Sequence, residues 1–245
     1  MKMKKLLVLF SISLILFGCS KAETGLTEDE SNSKTESEGY VEQVYYDYTN
    51  EFELNDDNTV TTVTQGDAIY DVNDPLDLRA NSDVVFIGTI ISKDYATCSP
   101  IEGEYSPIPY TSGSIEVIQS LKGDITGSIE FYRSGGIVTV NEFLRNAPKE
   151  RVEKIKSLSQ GNENYTYIKS YMLGDIDIES GKSYLFYAKH HEDTDRYFII
   201  GYEGGTREII SENTKNLYSL DNTNLKNNVT GEYEDLQNYI DVYLK

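Results

Sequence analysis

The side chains of this chain that could do chemistry fall into five groups. Cys98 stands in Thr97-Cys98-Ser99-Pro100, and the only two histidines are adjacent, at His190 and His191. A nucleophilic thiol needs a base beside it, so a cysteine in a loop-like stretch, with both histidines at one distant place, reads as a free thiol. His190-His191-Glu192-Asp193 with Asp195 supplies metal-ligand types. Neighbouring strand residues point to opposite faces, so these histidines do not converge on one ion, and a polar hairpin turn is the simpler reading. Asp67, Asp71, Asn73, Asp74 and Asp77 could attract a hard cation, yet a calcium loop counted from Asp71 needs glycine where Leu76 stands. Gly181-Lys182-Ser183 has the ending of a phosphate-binding loop, but Ile176 occupies the position of the required first glycine and strand-forming residues follow. Finally, Tyr165, Tyr167 and Tyr171 alternate with polar residues. They could contact a sugar or a peptide, and they also fit a strand with one buried face. They are the candidate ligand contacts. No catalytic residue, metal site or cofactor is expected: Gly-x-Ser-x-Gly is missing, and among 41 acidic residues no pair stands out for hydrolysis.

The elements that must position these groups begin with an address. Lys2, Lys4 and Lys5 precede a twelve-residue apolar run, Leu6–Phe17, and Gly18-Cys19 follows. The run is shorter than the ~20 residues a spanning helix needs. It resembles a bacterial lipoprotein signal, which implies cleavage after residue 18, acylation of Cys19 and a lipid anchor on the extracytoplasmic face of the cell membrane. Each buried CH₂ contributes about 0.8 kcal/mol, so several acyl chains hold firmly. With Cys19 acylated, Cys98 has no disulfide partner.

Charge sets further bounds. The formal net charge is −19, and the leader removes three basic and no acidic residues, leaving −22. Such a chain is repelled by nucleic acid and by anionic headgroups. Residues 19–39, rich in Glu, Ser, Thr, Asn and Lys, bury too little to offset their ordering entropy and are expected to be a disordered acidic tether. Residues 40–73 mix Tyr45, Tyr46, Tyr48 and Phe52 with many acids. A first strand, a partner-binding segment and further disorder all fit them.

Residues 74–245 carry the folding signals. Asp74-Pro75-Leu76-Asp77 predicts a short helix to about Asn81-Ser82, capped by Asp74. Val84 to Ile91 predicts a strand buried on both faces, with Gly88 at a bulge or bend. Strands are expected at Gly113–Leu121, Ser128–Ser134, around Ile176 and Ile178, at Ser183–His190, Arg196–Tyr202 and Glu208–Ile210. Val152, Ile155 and Leu158 predict an inserted amphipathic helix over Pro148–Ser159. Leu236, Tyr239, Ile240, Tyr243 and Leu244 predict a C-terminal helix docking one apolar stripe. The fold class is therefore mainly β: a small antiparallel barrel or sandwich, rather than an α/β sheet, with an inserted helix and a C-terminal helix.

Ala80-Asn81-Ser82-Asp83-Val84-Val85-Phe86-Ile87-Gly88-Thr89-Ile90 resembles the opening strand of netrin-like and tissue-inhibitor-of-metalloprotease-like domains, which are OB-type barrels. Ile115 to Gly123 resembles their second strand, and Gly181 to Ala188 a later one. The resemblance implies an OB/netrin-like barrel over about Asp74 to Ile210. The zinc-directed inhibition of the animal proteins needs a free N-terminal cysteine and disulfides. An acylated Cys19 some fifty residues from the barrel supplies neither. These observations support a membrane-anchored, non-enzymatic module that binds an envelope protein or glycan; the alternative is an envelope hydrolase using carboxylates. Replacing Cys19 by alanine is expected to abolish metabolic labelling with palmitate and release the chain from the membrane fraction, which fractionation of labelled cells checks.

Overall fold

The computed structural model describes residues 43–66, 68–101, 105–145, 147–158, 165–211 and 222–245. The leader (1–18), Cys19, the tether (19–39) and Asp67 lie outside the described residues. In chain order come β1 (Tyr46–Asp47), β2 (Thr59–Thr64), helix α1 (Pro75–Asn81), β3 (Val84–Lys93), β4 (Tyr110–Lys122), β5 (Gly127–Ser134) and β6 (Gly136–Thr139). Helices α2 (Val140–Leu144) and α3 (Lys149–Leu158) follow, then β7 (Tyr167–Met172), β8 (Ser183–His191) and β9 (Arg196–Ile199). The one-turn α4 (Tyr202–Gly205), β10 (Thr206–Ser211), β11 (Thr223–Lys226), β12 (Tyr233–Asp235) and α5 (Leu236–Tyr239) complete it, with α5 continuing as a wider π turn over Ile240–Leu244.

Five strands close into a ring in the order β3-β4-β5-β9-β8 and back to β3. Every pair in the ring is antiparallel except β5 with β9, which closes the barrel in parallel over only Phe131↔Tyr197 and Tyr132↔Phe198. This is a small OB-type barrel. Side-chain alternation explains its core. Val84, Phe86 and Ile90 of β3 point inward among Ile115, Phe131, Tyr184 and Phe186. Val85 and Ile87 point outward and pack with Leu78 of α1, Leu185, Tyr187 and the C-terminal helix. Both faces of β3 are thus buried, which is why Val84–Ile87 is an unbroken apolar run. The β3–β4 register shifts between Ile87 and Gly88, so the expected bulge is present. A Cβ at position 88 would lie 2.4 Å from Ile115 Cγ2, so only glycine lets the strands approach there.

The C-terminal stripe docks as its spacing requires. Leu236, Tyr239, Ile240 and Leu244 are buried, with Tyr243 packed at their edge. The Tyr187 and Tyr239 hydroxyls meet at 2.8 Å in this buried layer. Arg207 lies 4.8 Å over the Tyr239 ring and donates to Glu234 at 2.6 Å. Burial pushes the Tyr187 hydroxyl up to about 12, so it stays protonated at any ordinary pH.

A second, three-stranded sheet, β2-β7-β6, is inserted beside the barrel. There β2 runs parallel to β7 and β6 antiparallel to it. Helix α3 stands where the inserted helix is predicted, and Ile155 joins Ala96, Cys98, Val138, Phe143 and Ile168 in a third apolar cluster. Helix α2 is an addition: five residues are too few for a periodic signal, although Thr139 caps it by accepting from Glu142 N. Two expected strands differ. Ile176 and Ile178 lie in irregular chain, where Ile178 still enters the barrel core. The strand from Arg196 stops at Ile199, because Tyr202 adopts a left-handed φ of 47° and starts α4. In the segment read three ways, β1 pairs with the end of β3 and β2 with β7.

Tyr239→Phe leaves the buried Tyr187 hydroxyl without its partner and is expected to cost about 1–3 kcal/mol. Leu236→Ala, which opens a cavity, should cost about 2–5 kcal/mol. Urea unfolding checks both, with the midpoint moving at constant m-value.

Candidate functional site

The segment before β2 is held by short-range caps and one buried cation. Asp47 accepts from Thr49 N at 2.9 Å and starts a single 3₁₀ turn over Tyr48–Glu51. Lys93 closes the joint from below: its Nζ reaches Asp47 at 3.0 Å, Asp177 at 3.4 Å and the Ile178 carbonyl at 3.1 Å. These contacts pin β1 to the barrel and turn the neighbouring rings outward.

The rings form a continuous strip. Centroids lie 6.1 Å apart for Tyr46–Tyr48, 6.0 Å for Tyr48–Tyr95, 5.1 Å for Tyr95–Phe52 and 4.9 Å for Phe52–Tyr167. Tyr46, Tyr48 and Tyr95 remain 49%, 38% and 44% exposed although their rings touch one another. The Tyr95 hydroxyl donates to the Glu51 carboxylate, and that bond, ahead of burial and charge, raises its pKa.

Of the three tyrosines read as ligand contacts, Tyr167 is the last ring of this strip. Tyr171 lies further along the same face of β7, with Lys169 Nζ 5.1 Å from its ring centre. The opposite face, Ile168, Ser170 and Met172, is buried. Tyr165 precedes β7 and stands outside the strip. Residues 46–52 and Tyr95 are brought to Tyr167 only by tertiary structure, so spacing along the chain did not mark them as partners.

Where the strip ends, a cleft opens between barrel and small sheet. It encloses about 70 Å³, with Thr49, Lys93, Arg133, Lys169, Tyr171 and Asp175 among its lining residues. The Gly135–Gly136 backbone forms part of its wall. Gly136 has φ of 134°, and a Cβ there would meet Thr111 Oγ1 at 2.3 Å, so no other residue fits. Arg133 and Asp175 form an ion pair buried on both sides. They also line a second cavity of about 40 Å³ with Tyr70, Tyr202 and Thr206, so the pair is a partition between two small spaces. Burial raises the Asp175 carboxyl against the pull of Arg133. Glu203 is raised by burial and then by the charge of Asp175. Asp175 Oδ1 is committed to Arg133 and to Ile176 N at 2.9 Å.

The other groups are in structural use. Cys98 is fully buried, and burial followed by the Glu142 carboxylate pushes its thiol up to about 11. His190 Nε2 lies 2.9 Å from Asp195 and His191 Nδ1 3.1 Å from Thr194 Oγ1, inside the β8–β9 hairpin. Asp71, Asp74 and Asp77 accept backbone N–H groups around α1. Lys182 pairs with Glu179 and Glu208. Among the described residues no three His, Cys, Asp or Glu side chains gather to hold a metal ion, and no helix is long and apolar enough to cross a membrane. No protein-family model and no curated protein matches the chain.

In a Cys19→Ala chain, where Cys98 is the single thiol, a thiol reagent at pH 8 is expected to modify the folded protein far more slowly than the urea-unfolded one. The folded pKa lies above the unfolded one, so the contribution of Cys98 to stability is intact below the unfolded value and is lost as pH rises toward 11. Unfolding curves across that window check the sign.

Proposed function

We propose that this protein is a lipid-anchored, extracytoplasmic module that binds a polypeptide partner in the envelope through the tyrosine strip, with no catalytic step. The lipoprotein-like leader supports the location, and the likeness of β3, β4 and β8 to strands of netrin-like domains supports a barrel used as a scaffold. The observation that carries the binding role is the strip itself. Contiguous exposed rings over a rigid support are what interface anchors require, because tyrosine buries much area at low entropy cost.

The chemistry of the strip points to a cationic partner segment. Residues 43–58 hold Asp47, Glu51, Glu53, Asp56 and Asp57 and no lysine or arginine. Ring faces and carboxylates together suit lysine or arginine side chains through cation–π contacts and charge-assisted hydrogen bonds. A glycan fits less well. Phe52 meets Tyr95 at 69° and Tyr167 at 65° and Tyr95 is tilted 45° from Tyr48, so only Tyr46 and Tyr48, 9° apart, share a plane and the strip is not a continuous flat platform for sugar faces. The alternative of a carboxylate hydrolase draws on the raised pKa values of Asp175 and Glu203 beside a cavity. The commitment of Asp175 to Arg133 weakens it, since that oxygen is not free to take a proton from water.

A photocrosslinking amino acid placed at Tyr95 in anchored chains is expected to yield one discrete polypeptide adduct, whereas the same group at exposed Tyr233 yields none. Tyr48→Ala should reduce adduct formation at position 95, with an affinity loss of about 2 kcal/mol if Tyr48 is an anchor. Equal labelling from both positions, or no polypeptide adduct from position 95, overturns the proposal.

A further inference from the structure

The cleft beside the strip gathers basic side chains. In a chain of net charge −19, Lys93, Arg133 and Lys169 converge on one space of about 70 Å³. Lys93 and Arg133 are 7% and 5% exposed, so their positions are fixed by packing. Lys93 spends its three donors on Asp47, Asp177 and the Ile178 carbonyl. Arg133 has five N–H donors and shows one hydrogen bond, from Nη2 to Asp175, among the described residues. Lys169 has no carboxylate within ion-pair distance among the described residues; its ammonium rests over the Tyr171 ring. Two cations with donors to spare therefore line one space, and Ile137, Met172 and Ile176 supply an apolar side to it.

We infer that this cleft is a binding site for a carboxylate carried on a short aliphatic stem. Arg133 offers the planar fork that matches a carboxylate, Lys169 adds a second positive group, and the apolar side takes the stem. A monoanion fits and a dianion does not. Asp175 and Asp177 also line the cleft, and a phosphate dianion would meet their repulsion in a space with one cation in excess of the lining acids. The small volume admits the carboxylate with a few carbons. Such a group could be a free small acid or the C-terminus of a peptide. The site adjoins the tyrosine strip at Thr49 but contains none of the strip's rings, and it does not depend on the nature of the strip's partner.

The test is a nuclear magnetic resonance titration of the isotopically labelled full chain, following the Gly135 and Gly136 amides. Butyrate is expected to shift them saturably, butyramide not at all, and sodium chloride at matched ionic strength not at all. Lys169→Gln, a change on the half-exposed face of β7, should weaken butyrate binding about tenfold or more, the range of a charge-assisted contact. Tyr95→Ala should leave it unchanged. A short peptide with a free C-terminus that binds more tightly than butyrate, with its C-terminal amide inactive, assigns the site to chain ends; butyrate binding without peptide binding assigns it to small free acids. An equal response to butyramide, a response that follows ionic strength alone, or an unaltered affinity in Lys169→Gln with unchanged thermal stability overturns the inference.

Discussion

The rest of the structure depends on the need of β3 to be covered on both faces and paired on both edges. Its inward residues, Val84, Phe86 and Ile90, demand a closed ring of partners, which β4 and β8 begin. Its outward residues, Val85 and Ile87, demand a second layer, which α1 and the C-terminal helix supply. Fully burying one such side chain is worth about 1.5–3 kcal/mol, so leaving either face open would cost a large share of the ~5–15 kcal/mol that separates a domain from its unfolded chain. The last residue of the strand, Lys93, then carries the organisation out to the N-terminal segment through Asp47.

Among the described residues buried charge is used sparingly, and three buried cations sit at joints. Lys93 joins β1 to the barrel, Arg133 with Asp175 joins the barrel to the chain after β7, and Arg207 with Glu234 joins β10 to β12. Each ion loses several kcal/mol of hydration, which a partner at good geometry largely offsets. Such pairs add little net stability, but removing one partner leaves an uncompensated charge, so they penalise any other arrangement of the joined parts. The strip and the cleft meet at one of these joints. Thr49 sits in the turn that presents Tyr48 and also lines the cleft, and Lys93 lies beneath both.

Elements with a local period were legible from residues alone. The capped start of α1, the two-faced run of β3 with its bulge at Gly88, the β8–β9 hairpin and the stripe from Leu236 to Leu244 each write their environment into adjacent positions. The small sheet did not show itself in the same way. Its β2 and β7 pair in parallel from Thr59↔Tyr167 to Thr64↔Met172, a contact between distant segments that leaves no turn signal. The same holds for the candidate site. Tyr167 and Tyr171 stood out as alternating aromatics, but Tyr165 shares their spacing without sharing the strip. Tyr95 and Phe52 become neighbours only through the fold. Arg133 carried no mark at all, because a cation inside a strand becomes informative only when its burial and its partner are known.

The parallel closure of β5 on β9 has a consequence for how the molecule comes together. The antiparallel pairs of the ring include a hairpin at β8–β9 and the long β3–β4 ladder, which reward early contact. The seam joins Phe131 to Tyr197 and Tyr132 to Phe198 across β6, α2, α3, β7 and β8, and it offers only two residue pairs in return. Loop-closure entropy must be met before so short a ladder gives anything back. The barrel therefore zips along its antiparallel ladders and is latched by one short parallel seam.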